Sequence, residues 1–252
     1  MTITSPSKII FFFFMSTSIA VSRNAQDTDR IALRSFKDCT SCPEMVALPA
    51  PSDSRSDLAS RPFAIGRYEI TQAEWYAVMK TKPSEYRGAR LPVETISWRD
   101  AQEFARRLSE RTRQTYRLPT AAEWEYAAKA GSSTLYYFGD DLKDLDRHAW
   151  YLANAEEKTH PVGQKLPNAF GLYDIHGNVW EWTQTCSSDA HRQPNVDDTV
   201  EKFIRDCHRI YRGGSIANKA TSLKIAYTQA SGVGDRYFGL GLRVVRDLAP
   251  EK

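Results

Sequence analysis

Gly171-Leu172-Tyr173-Asp174-Ile175-His176-Gly177-Asn178-Val179-Trp180-Glu181-Trp182 sets two carboxylates on either side of a glycine-containing turn, among large aromatic rings. Asp174 and Glu181 at this spacing can converge on a hard cation, with backbone carbonyls supplying further ligands. The plainer reading is a turn in which Asp174 caps its own backbone while Glu181 forms a salt bridge. The stretch closes a longer region, 132–185, in which aromatic residues alternate with Gly, Asn, Asp and Pro, as in Tyr136-Tyr137-Phe138-Gly139-Asp140-Asp141 and Pro167-Asn168-Ala169-Phe170-Gly171. Unfolded segments are poor in aromatic residues, so this region reads as ordered, irregular backbone pinned by bulky side chains.

Upstream, three helices are marked by their caps. Thr71-x-x-Glu74, Ser97-x-x-Asp100 and Thr120-x-x-Glu123 each pair a hydroxyl that accepts an amide bond from the first turn with an acid that answers from the third helical position. In the second helix Ala101, Phe104, Ala105 and Leu108 share one face, leaving Arg99, Arg106, Arg107 and Glu110 to solvent. The third buries Trp124 with Ala127 and Ala128, and Gly131 is placed to end it. Short strands are expected at Met45-Val46-Ala47-Leu48 and Phe63-Ala64-Ile65-Gly66, with a polar loop of residues 52–57 between them. Downstream, strands are expected at Arg209 to Ile216, Lys224 to Gln229 and Gly241 to Arg246. There is no internal repeat and no second domain boundary.

At 252 residues the chain is long enough to bury a real core without disulfides. Its 34 basic and 31 acidic residues give +3 with the signs intermingled, so no basic stripe marks a nucleic-acid partner. Near the N-terminus, Lys8 precedes the apolar run Ile9 to Met15, followed by Ser18-Ile19-Ala20. This reads as an export signal over residues 1–20, too short to span a bilayer, with cleavage after small residues and no cysteine for a lipid anchor. A lead-in segment, 21–41, and the main domain, 42–250, follow. The mature chain has no membrane span, and its expected location is the periplasm or the medium.

Cys39, Cys42, Cys186 and Cys207 are even in number, as in an exported chain with two disulfides. Of three connectivities the local one, Cys39 with Cys42 and Cys186 with Cys207, is the cheapest; the second bridge would staple an excursion containing His191, Pro194, Asp197 and Asp198. A redox-active Cys39-x-x-Cys42 is the sharper alternative, but Thr40, Ser41 and Pro43 give no sign of the helix N-terminus that usually lowers a thiol pKa.

Seven pieces resemble the formylglycine-generating-enzyme, or sulfatase-modifying-factor, family. They are Cys42-Pro43-Glu44-Met45-Val46, Tyr68-Glu69-Ile70-Thr71, Leu91-Pro92-Val93-Glu94-Thr95-Ile96-Ser97-Trp98, the run Arg117 to Ala127, the opening stretch, Arg212-Gly213-Gly214-Ser215 and Gly241-Leu242-Arg243-Val244. They follow the family's order across residues 42–247. The resemblance implies an α+β, C-type-lectin-like fold of short twisted antiparallel strands, two or three helices and long ordered loops. One departure is Pro49-Ala50-Pro51-Ser52-Asp53-Ser54, where the family has a glycine-rich element, so an early strand could be missing.

The resemblance also implies sites. Family enzymes bind calcium through the positions of Asp174, Gly177, Val179 and Glu181, the middle two through carbonyls, so a structural calcium is expected here. Asn154 matches the start of a second calcium loop, but no second site is assigned. The copper-binding thiols of the family's oxidases fall at Asn218 and Leu223 in this chain. Cu(I) prefers soft sulfur, which neither side chain supplies, so no copper is expected and no catalytic residue is assigned. An iron-dependent branch uses three histidines and an added helical part; His148, His160 and His176 could gather, His191 and His208 complete the five, but iron is disfavoured because no carboxylate pattern supports them. A binding groove is expected at Asn218, Lys219, Thr221, Ser222, Asp235, Arg236, Tyr237 and Phe238, where polar atoms beside aromatic rings suit a peptide or small molecule. The alternative is that Tyr237 and Phe238 pack inward. Ser215 lies in no Gly-x-Ser-x-Gly elbow, which argues against a serine hydrolase.

Three functions follow. The first is an exported non-copper accessory or binding protein of the cell envelope whose partner is an envelope protein, a peptide or a small molecule. The second is an oxidative maturation enzyme of periplasmic siderophore or peptide metabolism, a role for which thiol-free relatives give precedent. The third is a calcium-stabilised structural domain.

Overall fold

Each of the three predicted caps closes a reciprocal capping box. Thr71, Ser97 and Thr120 open α1 (Gln72–Met79), α2 (Trp98–Thr112) and α3 (Ala121–Lys129), and Glu74, Asp100 and Glu123 bond back to the cap amides. In the computed structural model, residue 1 and residues 34–49, 62–187 and 207–249 are described. The chain separates into two units, residues 1–32 and 33–252, and the fold described belongs to the second. Apart from Met1, the expected signal segment lies outside the described residues, as do the polar loop 52–57, His191, Pro194, Asp197 and Asp198.

A five-stranded sheet has the order β1 (Ser35–Phe36), β2 (Met45–Ala47), β3 (Phe63–Gly66), β11 (Val245–Asp247) and β4 (Tyr116–Arg117), antiparallel throughout. The C-terminal strand β11 is therefore inserted between β3 and β4 in a sheet begun near residue 35. Strand β1 lies inside the segment read as a lead-in. A second sheet has the order β10 (Leu240–Leu242), β7 (Trp180–Cys186), β8 (Arg209–Arg212) and β9 (Gln229–Ser231). A two-stranded piece joins β5 (Ala149–Trp150) to β6 (His176–Gly177). This is the expected α+β architecture of short strands and few helices, but two pairs, β7 with β10 and β5 with β6, run parallel.

Packing follows the apolar faces. Trp75 of α1 stacks on Phe104 of α2 at 5.3 Å, over a core that includes Leu108, Trp182 and Leu242. Trp124, Ala127 and Ala128 of α3 pack on Ile65, Ile175 and Val245. The α3 helix ends at Lys129 with Ala130 left-handed (φ 46°) and Gly131 following at φ 89°. After Gly131 one further helical turn appears, α4 (Leu145–His148), too short to show a helical period in sequence.

The downstream strands differ from expectation in their ends. Strand β8 stops at Arg212 because Gly213 and Gly214 take φ of 98° and 81°. Lys224 to Gln229 is not a strand: the Ile225 amide bonds Leu135 across the molecule, the Tyr227 amide turns back to Lys224, and pairing begins only at Gln229. Gly241 to Arg246 is two strands in two sheets, separated where the Arg243 side chain turns inward.

Both local disulfides form, Cys39–Cys42 and Cys186–Cys207, with Cα separations of 5.0 and 5.8 Å. The second closes a far longer loop, at a sequence separation of 21 against 3. Removing it as Cys186→Ala/Cys207→Ala is expected to cost about 3 kcal/mol, and removing the first about 2 kcal/mol, if chain entropy dominates. Urea unfolding midpoints of the two double variants check the order; equal losses would contradict it.

Candidate functional site

The centre of the molecule holds charge. Arg243, fully buried, donates from Nε and Nη2 to Glu181 at 2.8–3.0 Å, from Nη1 to the Gly66 carbonyl and from Nη2 to the Tyr173 carbonyl, both at 2.8 Å. Trp124 Nε1 donates to Glu181 at 2.6 Å. Glu69 accepts from Asn178 Nδ2 at 2.6 Å and from the Val179 amide at 2.9 Å. Asp174 Oδ2 accepts from the Gly163 amide at 2.7 Å, while its Oδ1 is buried without a partner.

Three buried carboxylates thus face one guanidinium. Burial, and then the charges of Asp174 and Glu181, push the Glu69 carboxyl well up; burial raises Asp174 to about 6. Burial pulls Arg243 down, but Glu181 overrides it and holds the guanidinium above its ordinary value. Asp174 and Gly177 are left-handed, at φ 55° and 80°, which folds the 174–181 stretch into the turn its glycine suggested.

The bare Asp174 Oδ1 and the excess of negative charge fit a hard cation. Glu181 is already held by Arg243 and Trp124, so Asp174 is the carboxylate with an oxygen to offer. Among the described residues no group of three or more His, Cys, Asp or Glu converges as a metal site, so any cation here would draw on Asp174 and backbone carbonyls, the donor type that calcium accepts. Such an ion would neutralise Asp174 and hold the turn, and supplies no reaction step.

A pH dependence follows with a definite sign. The folded state raises the Asp174 carboxyl from 3.8 to about 6, so it favours the neutral acid. In chelator, this group's contribution is fullest below about pH 4 and is lost as pH rises through 6, by about 3 kcal/mol. Calcium prefers the ionised form, so its stabilisation is expected to be absent near pH 4 and to grow to pH 7.5. Thermal melts with calcium and with chelator across that range check it; a calcium increment that is zero at every pH would remove the ion from the account.

The two thiol positions of the resembled oxidases are occupied by groups with other work. Asn218 Oδ1 accepts from the Ser215 amide and hydroxyl at 2.9 and 2.8 Å, closing its own turn. Leu223 is fully buried against Tyr136, Leu145 and Ala149. All four cysteines are in bridges, so no free thiol exists to bind copper.

The expected groove residues form two loops flanking the end of β7. Gly239, whose carbonyl accepts from the Trp180 amide, packs so close to Ser215 that an added Cβ would lie 3.3 Å from the Ser215 Cβ. Lys219, Thr221, Asp235, Arg236 and Tyr237 are exposed; Asn218, Ser222 and Phe238 are half-buried. Arg236 is tied to Asp100 at the start of α2 at 2.9 Å, Asp235 caps Gly232, and Phe238 meets the edge of Tyr86. Tyr237 points outward, 49 % exposed, with its hydroxyl on Ser231. Between the loops, Trp180 contacts Tyr211 and Tyr227 at 5.2 and 6.1 Å, and Gln229 donates to the Tyr227 hydroxyl. Sequence reasoning missed these three rings as one surface, since the pairing of β7 with β8 and the turn that carries Tyr227 bring them together from distant parts of the chain.

Among the described residues, His148, His160 and His176 do not make a shared cation site. His176 is fully buried, with Nδ1 on the Leu223 carbonyl and Nε2 facing the Tyr137 amide, and burial holds it down at about 3. His148 stacks on Phe138 and bonds the Tyr137 hydroxyl; His160 stacks on Trp150 at 3.7 Å and bonds the Ala155 carbonyl. Glu69 was the other omission. A glutamate set directly between Tyr68 and Ile70 was the available signal, since buried charge demands partners.

Comparison with known proteins is consistent along nearly the whole described fold. Residues 35–248 match the family model described as sulfatase-modifying factor enzyme 1-like domain. The Chaperone protein LppX of Paenibacillus barcinonensis is 32% identical over 73% of this chain and 80% of its own length. The structure of PvdO from Pseudomonas aeruginosa superposes with a TM-score of 0.70 at 30% identity, covering 85% of this chain and 98% of that one. The formylglycine-generating enzyme of Mycobacterium tuberculosis is 39% identical over 40% of this chain, a span that is only 36% of that enzyme.

Proposed function

The chain belongs to the sulfatase-modifying factor enzyme 1-like family, and from that membership we propose that it is an exported, non-copper maturation enzyme that oxidises a peptide or peptide-derived small molecule, the siderophore type included. The observation that carries this reading is the aromatic surface on which Trp180 contacts Tyr211 and Tyr227, with the exposed Tyr237 held through Ser231 and with Gln229 as a polar partner, while the thiol positions are held by Asn218 and Leu223. Flat rings with a few fixed polar atoms suit a planar or peptidic group. The two disulfides suit an oxidising compartment, which agrees with the export signal read at residues 1–20. The superposition on PvdO, over 85% of this chain and 98% of that one, supports a shared scaffold.

A second reading, accessory or chaperone, has its own support in the likeness to the Paenibacillus chaperone. One experiment separates them. The purified protein is incubated in air with peptide and small-molecule extract from its own cell envelope, and products are followed by mass. Multiple turnovers with loss of hydrogen from one component, abolished by excluding oxygen and reduced in Trp180→Ala and Tyr237→Ala, support the enzyme. A stoichiometric complex with an unchanged polypeptide partner would replace it with the chaperone reading.

A further inference from the structure

We infer that Cys39–Cys42 is an exchangeable disulfide, and that the cleft beside it receives a cysteine-bearing peptide segment. This goes beyond the aromatic surface around Trp180 and does not depend on it.

The two bridges of the molecule are differently placed. Cys39 is half-buried, whereas Cys42 is fully buried, so one sulfur is open to attack and the other is shielded. The Cys-Thr-Ser-Cys turn keeps its shape without the bridge. The Cys42 amide bonds the Cys39 carbonyl at 3.1 Å, Arg111 donates to Ser41 Oγ at 2.7 Å, and Asp38 holds both Tyr116 Oη and Arg246 at 2.6 and 2.8 Å. Breaking the sulfur bond therefore leaves the backbone anchored on both sides, and a bridge closing so short a loop contributes least to the chain entropy it removes.

Thr40, Ser41 and Cys42 form one wall of a cleft of about 480 Å³ whose other walls include Tyr68, Ala89 and Arg90. That volume suits a short peptide segment. No helix N-terminus is present to favour a thiolate, and the cleft lining is mixed in charge, Lys37 and Arg90 with Glu44 and Glu74, but the Arg111 guanidinium sits on Ser41 between the two cysteines. Positive charge near a disulfide stabilises the departing thiolate.

The exchange balances without any further reactant. A thiolate of a dithiol peptide attacks Cys39 Sγ, and the electrons of the sulfur bond leave on Cys42 Sγ, which takes a proton from water. The second peptide thiol, losing its proton, attacks the peptide sulfur of the mixed disulfide and releases Cys39. The peptide loses two electrons and two protons as its own disulfide forms; the Cys39 and Cys42 pair gains them.

The test uses the full folded chain in buffers of graded thiol and disulfide cysteamine, quenched with acid, alkylated and mapped by peptide mass. Cys39–Cys42 is expected to open and close reversibly while Cys186–Cys207 stays closed and the near-ultraviolet circular dichroism is unchanged. In reduced Cys42→Ala, the Cys39 thiolate is expected to attack a decapeptide whose cysteine is disulfide-bonded to cysteamine, forming the Cys39–peptide mixed disulfide and releasing cysteamine thiol. Filling the cleft with Ala89→Trp should slow reaction with the decapeptide about tenfold while changing reaction with cysteamine by less than about twofold. Opening that occurs only with loss of the native spectrum, or decapeptide rates unaltered by Ala89→Trp, would overturn the inference.

Discussion

Replacing Arg243 by methionine is expected to destabilise the chain by about 3–5 kcal/mol, a large share of the stability of an ordinary domain. The guanidinium and its partner Glu181 are 0% and 1% exposed, so water cannot solvate what is left behind. Three partners lose their donor together: Glu181, the Gly66 carbonyl and the Tyr173 carbonyl. Glu69 and Asp174 add to the cost, because Arg243 is the cation that offsets their charge. A lysine has one point of charge where the guanidinium forks to three groups, so Arg243→Lys should recover little. Adding Glu181→Gln to Arg243→Met should recover part of the loss by removing the uncompensated charge. Urea unfolding of the three variants measures this. A single Arg243→Met variant within about 1 kcal/mol of the parent would contradict the assignment of this pair as the electrostatic centre.

Gly177→Ala is expected to be nearly as damaging. Its φ of 80° is one that side chains disfavour, and an added Cβ would lie 2.0 Å from the Trp150 carbonyl oxygen. That oxygen is fixed, since it accepts the Asn178 amide at 2.8 Å in the β5–β6 pairing. Backbone must move, and the turn carrying Asp174 and Asn178 moves with it. The loss should exceed about 3 kcal/mol. Gly171→Ala provides the comparison: its φ is 72°, but nothing lies within 4 Å of the added atom. There only the left-handed backbone cost of about 1 kcal/mol applies. Similar losses at the two positions would mean that the close approach at Trp150 is not as described.

How much of this was legible in sequence depends on the range of each interaction. The capping boxes at Thr71, Ser97 and Thr120 are complete within four residues, and their helices begin where expected. The apolar stripe of α2 was readable for the same reason, and all four of its predicted core residues are buried. Lys224 to Gln229 misled because the contacts of Ile225 are with Leu135, which local alternation does not contain. Glu69 had no visible role because the Asn178 and Val179 groups it holds are more than a hundred residues away. At Asp174 and Glu181 the plainer reading holds only in part, since Asp174 Oδ2 accepts the Gly163 amide instead of capping its own turn. Glu181 is salt-bridged as the plainer one held, while Asp174 retains the bare oxygen that the cation reading requires.

Copper titration of the purified, disulfide-intact protein under anaerobic conditions, followed by oxygen uptake with a cysteine-containing peptide, tests the central claim most directly. With Asn218 bonded to Ser215 and Leu223 in the core, Cu(I) should bind no more tightly than to a Cys-free control protein, and no thiol-dependent oxygen uptake should follow. Tight one-to-one Cu(I) binding with conversion of the peptide cysteine to an aldehyde would contradict it.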